Sequence, residues 1–79
     1  MKNAISISLN QRLSIVQVHI RSTQSHEKIL DIGLKVHAEK GTYSLLSPLN
    51  AEKAELLART IPEIDRMLEL GAEGVRYTE

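Results

Sequence analysis

Seventy-nine residues allow one small domain, residues 1–79, which buries only about 60% of the surface its unfolded chain exposes. With two aromatics, Tyr43 and Tyr77, the core must come from Ile, Leu and Val, and the absence of cysteine excludes disulfides and thiolate metal sites. Net charge is zero, which argues against a strongly basic nucleic-acid binder, yet residues 1–42 carry six cations against three acids and residues 43–79 four against seven, about +3 against −3.

Ile5, Ile7 and Leu9 alternate with Ser6 and Ser8, the period of a half-buried strand, and Asn10-Gln11 reads as a tight turn. A second strand runs from Arg12 to Arg21; its apolar phase slips between Ile15 and Val16, which predicts a bulge there. Residues 22–27 form a polar loop. In the third strand Leu30, Ile32, Leu34, Val36 and Ala38 face the core, and Ile29, Asp31, Gly33, Lys35, His37 and Glu39 face water. Lys40-Gly41 reverses the chain into a short fourth strand, Thr42 to Leu46.

Ser47-Pro48 reads as an N-cap with proline at the first helical position, and Asn50 is the competing cap. Ala54, Leu57, Ile61, Ile64 and Leu68 then recur as one helical stripe. Pro62, inside the Thr60-x-x-Glu63 capping pattern, predicts a helix kinked or broken near that proline. Gly71 and Gly74 end it, and Val75 to Thr78 is either a short edge strand or a frayed tail. The expectation is an α+β fold: an antiparallel four-stranded meander followed by a C-terminal amphipathic helix over one face.

Catalytic chemistry finds little support. His19, His26 and His37 match no compact metal spacing, though a loop centred on Ser25 sets His19 opposite Asp31 on the wet face. The glycines are isolated, no G-x-S-x-G elbow surrounds a serine, and the acids Glu63, Asp65 and Glu69 lack a desolvated setting. No enzyme, metal or cofactor is expected. No segment is apolar enough to span a membrane and the first residues alternate, so the expected location is the cytoplasm.

The strand Lys28-Ile29-Leu30-Asp31-Ile32, the Lys40-Gly41 turn before Ser44-Leu45, and the helix segment Ile61-Pro62-Glu63-Ile64-Asp65 resemble the positive cofactor four family of single-strand DNA-binding transcriptional coactivators, over Lys28 to Leu68. The resemblance implies a dimer with single-stranded nucleic acid on the Lys28, Lys35, Lys40 side of the sheet. Two residues, Thr42 and Tyr43, stand where the family has one, and Gly33, Leu34 and aliphatic residues fill its aromatic positions.

Two non-catalytic functions follow. The preferred expectation is an inhibitor or adaptor, of the kind phages and mobile elements encode, that engages a larger protein or nucleoprotein machine through Glu52, Glu55, Glu63, Asp65 and Glu69. The alternative is single-stranded nucleic-acid binding through Arg21, Lys28, Lys35, His37 and Lys40. A surplus of apolar residues, Leu56, Met67 and Leu70, predicts the contact of a homodimer.

Overall fold

The computed structural model describes residues 2–79. Four strands, β1 (Asn3–Asn10), β2 (Ile15–Ser22), β3 (Lys28–His37) and β4 (Thr42–Leu45), form the expected meander, each antiparallel to the one before. One helix follows, α1 (Ala51–Glu69), and then β5 (Gly74–Thr78). Residues 74–78 are thus an edge strand, not a frayed tail. β5 pairs antiparallel with β1, giving the order β4-β3-β2-β1-β5, so α1 carries the chain from one edge of the sheet to the other.

The alternation in each strand becomes rows across the sheet. On the helix side Tyr77, Ile5, Ile20 and Leu30 lie in one row, Val75, Ile7, Val18 and Ile32 in the next, and Leu9, Val16, Leu34 and Leu45 in the third. The middle members of these rows are buried, and Leu57, Ile64 and Met67 of α1 close over them. At about 1.5 to 3 kcal/mol for each fully buried aliphatic side chain, this layer is the main stabilising term.

The bulge sits elsewhere than the apolar phase predicts. The turn spans residues 11–14, with Ser14 at a positive φ of 53°, and Ile15 is the first residue of β2. Leu13 lies outside the strand, so the slip between Ile15 and Val16 is a strand boundary. The ladder shifts instead between Ile20 and Arg21: Leu30 stands opposite Ile20 and Lys28 opposite Arg21, leaving Ile29 as the additional residue on β3. Such an insertion reverses which face the preceding residue presents. Lys28 accordingly joins Asp31 on the helix-free face, while Ile29 is partly buried against the core. At the other end β3 stops at His37, and Ala38, an expected core residue, is exposed in the turn closed by Gly41 at φ 67°.

Asn50, not Ser47, caps α1: its Oδ1 accepts the Lys53 N–H at 2.8 Å, a bond that contributes about 1 kcal/mol. Ser47 and Pro48 precede the helix in the connection from β4. α1 is continuous through Pro62, so no break occurs. Thr60 is not a cap either; it is buried, and its hydroxyl donates to the Leu57 carbonyl at 2.7 Å. Pro62 and Ala58, whose carbonyl loses its usual donor, are both exposed, so water can serve that acceptor. Gly71 (φ 72°) ends the helix: its N–H donates to Leu68, and the Ala72 N–H donates to Met67.

The buried stripe is Leu57, Thr60, Ile64 and Met67, with Ile61 and Leu68 at its flank and Ala54 exposed. Met67, only 3% exposed, therefore belongs to the core and offers a second copy no surface. Leu56 is half-buried and Leu70 is 75% exposed at the C-cap. Fourteen residues of helix separate those two by about 21 Å, so the three expected dimer residues form no common patch. No helix among the described residues is long and apolar enough to cross a membrane.

Candidate functional site

No helix or strand among the described residues covers the face of the sheet turned away from α1. Its rows follow from the same register: Thr78, Ala4, Arg21 and Lys28; then Arg76, Ser6, His19 and Asp31; then Gly74, Ser8, Gln17 and Gly33; then Asn10, Ile15, Lys35 and Ser44. Along β1 the small side chains of Ala4 and Ser6 floor a shallow groove, walled by Arg76 and Thr78 on β5 and by His19 and Arg21 on β2. The walls are cationic and the floor is low, an arrangement open to an elongated anionic ligand.

Asp31 is the one carboxylate in these rows. It is engaged twice, by His19 Nδ1 at 3.1 Å and by Lys28 Nζ at 3.2 Å, so the predicted His19–Asp31 pairing across the hairpin is present. Exposed pairs of this kind contribute about 0 to 1 kcal/mol, and their larger effect is to cancel charge. Arg21 and Arg76 have no carboxylate partner among the described residues, which leaves them as the uncompensated cations of the groove.

The expected binding residues divide. Arg21 and Lys28 share a row, brought together by the bulge. Lys35 lies on the same face but donates from Nζ to the Leu13 carbonyl at 2.6 Å, which fixes it over the β1–β2 turn. His37 Nε2 is 2.7 Å from Ser44 Oγ at the β3–β4 end. Lys40 is exposed in the turn beyond, about 30 Å along the strand direction from Lys28, and takes no part in the groove. Arg76 is the member that the sequence reading missed. Its signal was the alternation Val75-Arg76-Tyr77, which turns arginine away from two core-facing neighbours once those residues are recognised as a strand.

No family model, curated protein or solved structure matches the chain.

The helix side has a different character. Glu52, Glu55, Asp65 and Glu69 are exposed on α1 and Glu63 is half-buried, so the acidic residues do lie on the face opposite the groove. They are interrupted by cations and partly consumed by neighbours. Arg66 Nη2 donates to both Glu63 oxygens, at 3.0 and 2.8 Å, and the Asp65 carboxylate accepts the Tyr43 hydroxyl. Glu52 and Glu69 are about 26 Å apart along the helix.

Both tyrosines belong to this helix side, where they cannot stack on a ligand in the groove. Tyr43 packs against the core, and burial, then the hydrogen bond and charge of Asp65, push its phenol up to about 12. Burial, then the charges of Glu63 and Glu79, also raise Tyr77, whose hydroxyl is buried without a hydrogen-bond partner. A phenol raised in the folded state stabilises fully below its ordinary value of 10.0 and loses that contribution as pH climbs towards 12. Tyrosinate absorbance is therefore expected to stay low through the ordinary range and to rise together with loss of the circular dichroism signal above it. A full-amplitude step near pH 10 in the folded protein would contradict this placement.

Proposed function

We propose that the chain is a non-catalytic binding protein that holds single-stranded nucleic acid, through its phosphates, against the helix-free face of the sheet. The observation that carries the reading is the pair of uncompensated arginines, Arg21 and Arg76, flanking a groove floored by Ala4 and Ser6. Lys28 and His19 stand beside them, both engaged with Asp31. With no aromatic side chain on this face, contacts to bases have no stacking platform, so affinity comes from phosphates and tolerates any sequence. The likeness of Lys28 to Leu68 to the positive cofactor four family points in the same direction.

The acidic helix supports the inhibitor or adaptor reading less well, because its charges are dispersed, interleaved with Lys53, Arg59 and Arg66, and tied to Arg66 and Tyr43. A phosphate mimic needs a continuous one-sign surface.

Fluorescence anisotropy with a labelled oligothymidine tests the proposal. Three or four phosphate contacts predict a log–log salt slope of about −2 to −3, so raising salt fourfold lowers affinity roughly 20- to 50-fold. Binding that ignores salt, or none at low salt, would overturn the reading and return the adaptor to first place.

A further inference from the structure

The contact between His19 and Asp31 settles where the ring's hydrogen lies. A carboxylate accepts hydrogen bonds and donates none, so with Asp31 Oδ1 at 3.1 Å a neutral His19 carries its hydrogen on Nδ1. Lys28 Nζ holds the other carboxylate oxygen, Oδ2, at 3.2 Å, which anchors Asp31 from its far side. His19 Nε2 is then a bare lone pair on a half-exposed imidazole that walls the groove. A lone pair repels an anionic oxygen, whereas a protonated Nε2 donates a charge-assisted hydrogen bond to it. One proton therefore separates two states of the groove toward phosphate.

The charges around the ring make that proton sensitive to a ligand. Asp31 and Lys28 face it from β3, Ser6 from β1, and Arg76 from β5 beyond Ser6. Gln17 and Arg21 flank it on β2 itself. Asp31 attracts an imidazolium, while Arg21, Arg76 and Lys28 repel it. A phosphate lying between the two arginines offsets their repulsion and adds a second anion beside the ring.

We infer that His19 takes up one proton when single-stranded nucleic acid enters the groove, so that acidification tightens binding. This rests on the single-strand-binding reading above and supplies its regulation. Nδ1–H stays on Asp31, and the new Nε2–H donates to a phosphate oxygen. Asp31 is the positioning residue, because it holds the tautomer that leaves Nε2 to the ligand. Histidine is the side chain that ordinarily changes charge between about pH 5 and 8, a window in which phosphodiesters and thymine keep theirs. Proton and ligand are linked reciprocally: whatever binding gains in protons, protons return as affinity.

Anisotropy titrations of a labelled oligothymidine at constant ionic strength, between about pH 8 and about pH 5.5, test this. Affinity is expected to rise at least about tenfold towards the acid end, and the log–log salt slope to steepen by about 0.7, the share of one more phosphate contact. His19→Gln stays polar and takes up no proton, so both changes should vanish and the affinity ratio fall below about twofold. Asp31→Asn keeps an acceptor for Nδ1–H but removes the charge, which is expected to move the rise to lower pH. His26→Asn, at a residue of φ 60° in the β2–β3 loop where asparagine is tolerated, and His37→Gln, at the β3–β4 end, should keep the full ratio. Calorimetry of the unaltered chain in two buffers of different ionisation enthalpy counts the proton without any substitution. A ratio below about twofold for the unaltered chain, no proton uptake, a full ratio in His19→Gln or an unmoved profile in Asp31→Asn would each overturn the coupling while leaving the binding face standing. Absence of binding by the unaltered chain at both ends of the range would overturn both.

Discussion

Ile64→Ala is expected to lower the unfolding free energy by roughly 3 to 4 kcal/mol, enough to leave the domain largely unfolded at elevated temperature. Ile64 is 0% exposed and sits midway along the buried stripe of α1, where the helix meets the apolar rows of β1, β2 and β3. Truncation forfeits the transfer free energy of three carbons and leaves a cavity that a sheet on one side and a 19-residue helix on the other cannot close. A domain of this length has only about 4 to 12 kcal/mol to lose. Urea unfolding followed by circular dichroism measures the change, and a shift in melting temperature of about 10 °C or more should accompany it. Leu70→Ala, at a side chain 75% exposed, is the control and should stay within about 0.5 kcal/mol. A loss below about 1 kcal/mol for Ile64→Ala would mean that α1 does not dock on the sheet as described.

The second large effect concerns the groove. Arg21→Glu combined with Arg76→Glu is expected to reduce single-strand affinity at least about 100-fold at low salt and to flatten the salt slope by about 1.4, two contacts at 0.7 each. The two residues lie on strands separated by β1 and flank the same floor, so their reversal replaces both walls of attraction with repulsion. Both are exposed and make no ion pair among the described residues, so folding should be unchanged, which thermal melts can verify. Lys53→Glu, on the helix side, is the matched control and should alter affinity less than about twofold. Equal losses from both variants would show that overall charge, and not this groove, governs binding.

Much of the fold was legible because strong periodicity is local. Leu30, Ile32 and Leu34 alternate without ambiguity and are buried, and the Lys40-Gly41 reversal follows from the need for a positive φ. The sequence is ambiguous where two local signals compete. Ser47-Pro48 and Asn50 are both acceptable helix starts, and the choice fell to Asn50, whose side chain accepts the Lys53 N–H. Hydroxyls favour helix ends, which suggests Thr60 as a cap, but a hydroxyl bonded to the preceding turn can also be buried, which moves the stripe onto Met67. The position of the bulge was illegible for a similar reason: apolar phase reports a slip, while only the partner strand shows whether the slip is an insertion or a boundary.

For the candidate site, alternation alone assigns His19 and Arg21 to a wet face, whereas Lys28 joins them only through the bulge, which the pairing with β2 reveals. Arg76 could not be added to them. By itself the sequence determined the four-stranded meander, the helix that follows it and the charge imbalance between the halves, because each depends on side-chain period or composition within a short window. Only the tertiary structure decided that β5 pairs with β1, carrying Arg76 to Ser6 and opposite Arg21 across the groove. That pairing joins residues about seventy positions apart and depends on α1 crossing the whole sheet, a long-range closure that no local pattern encodes.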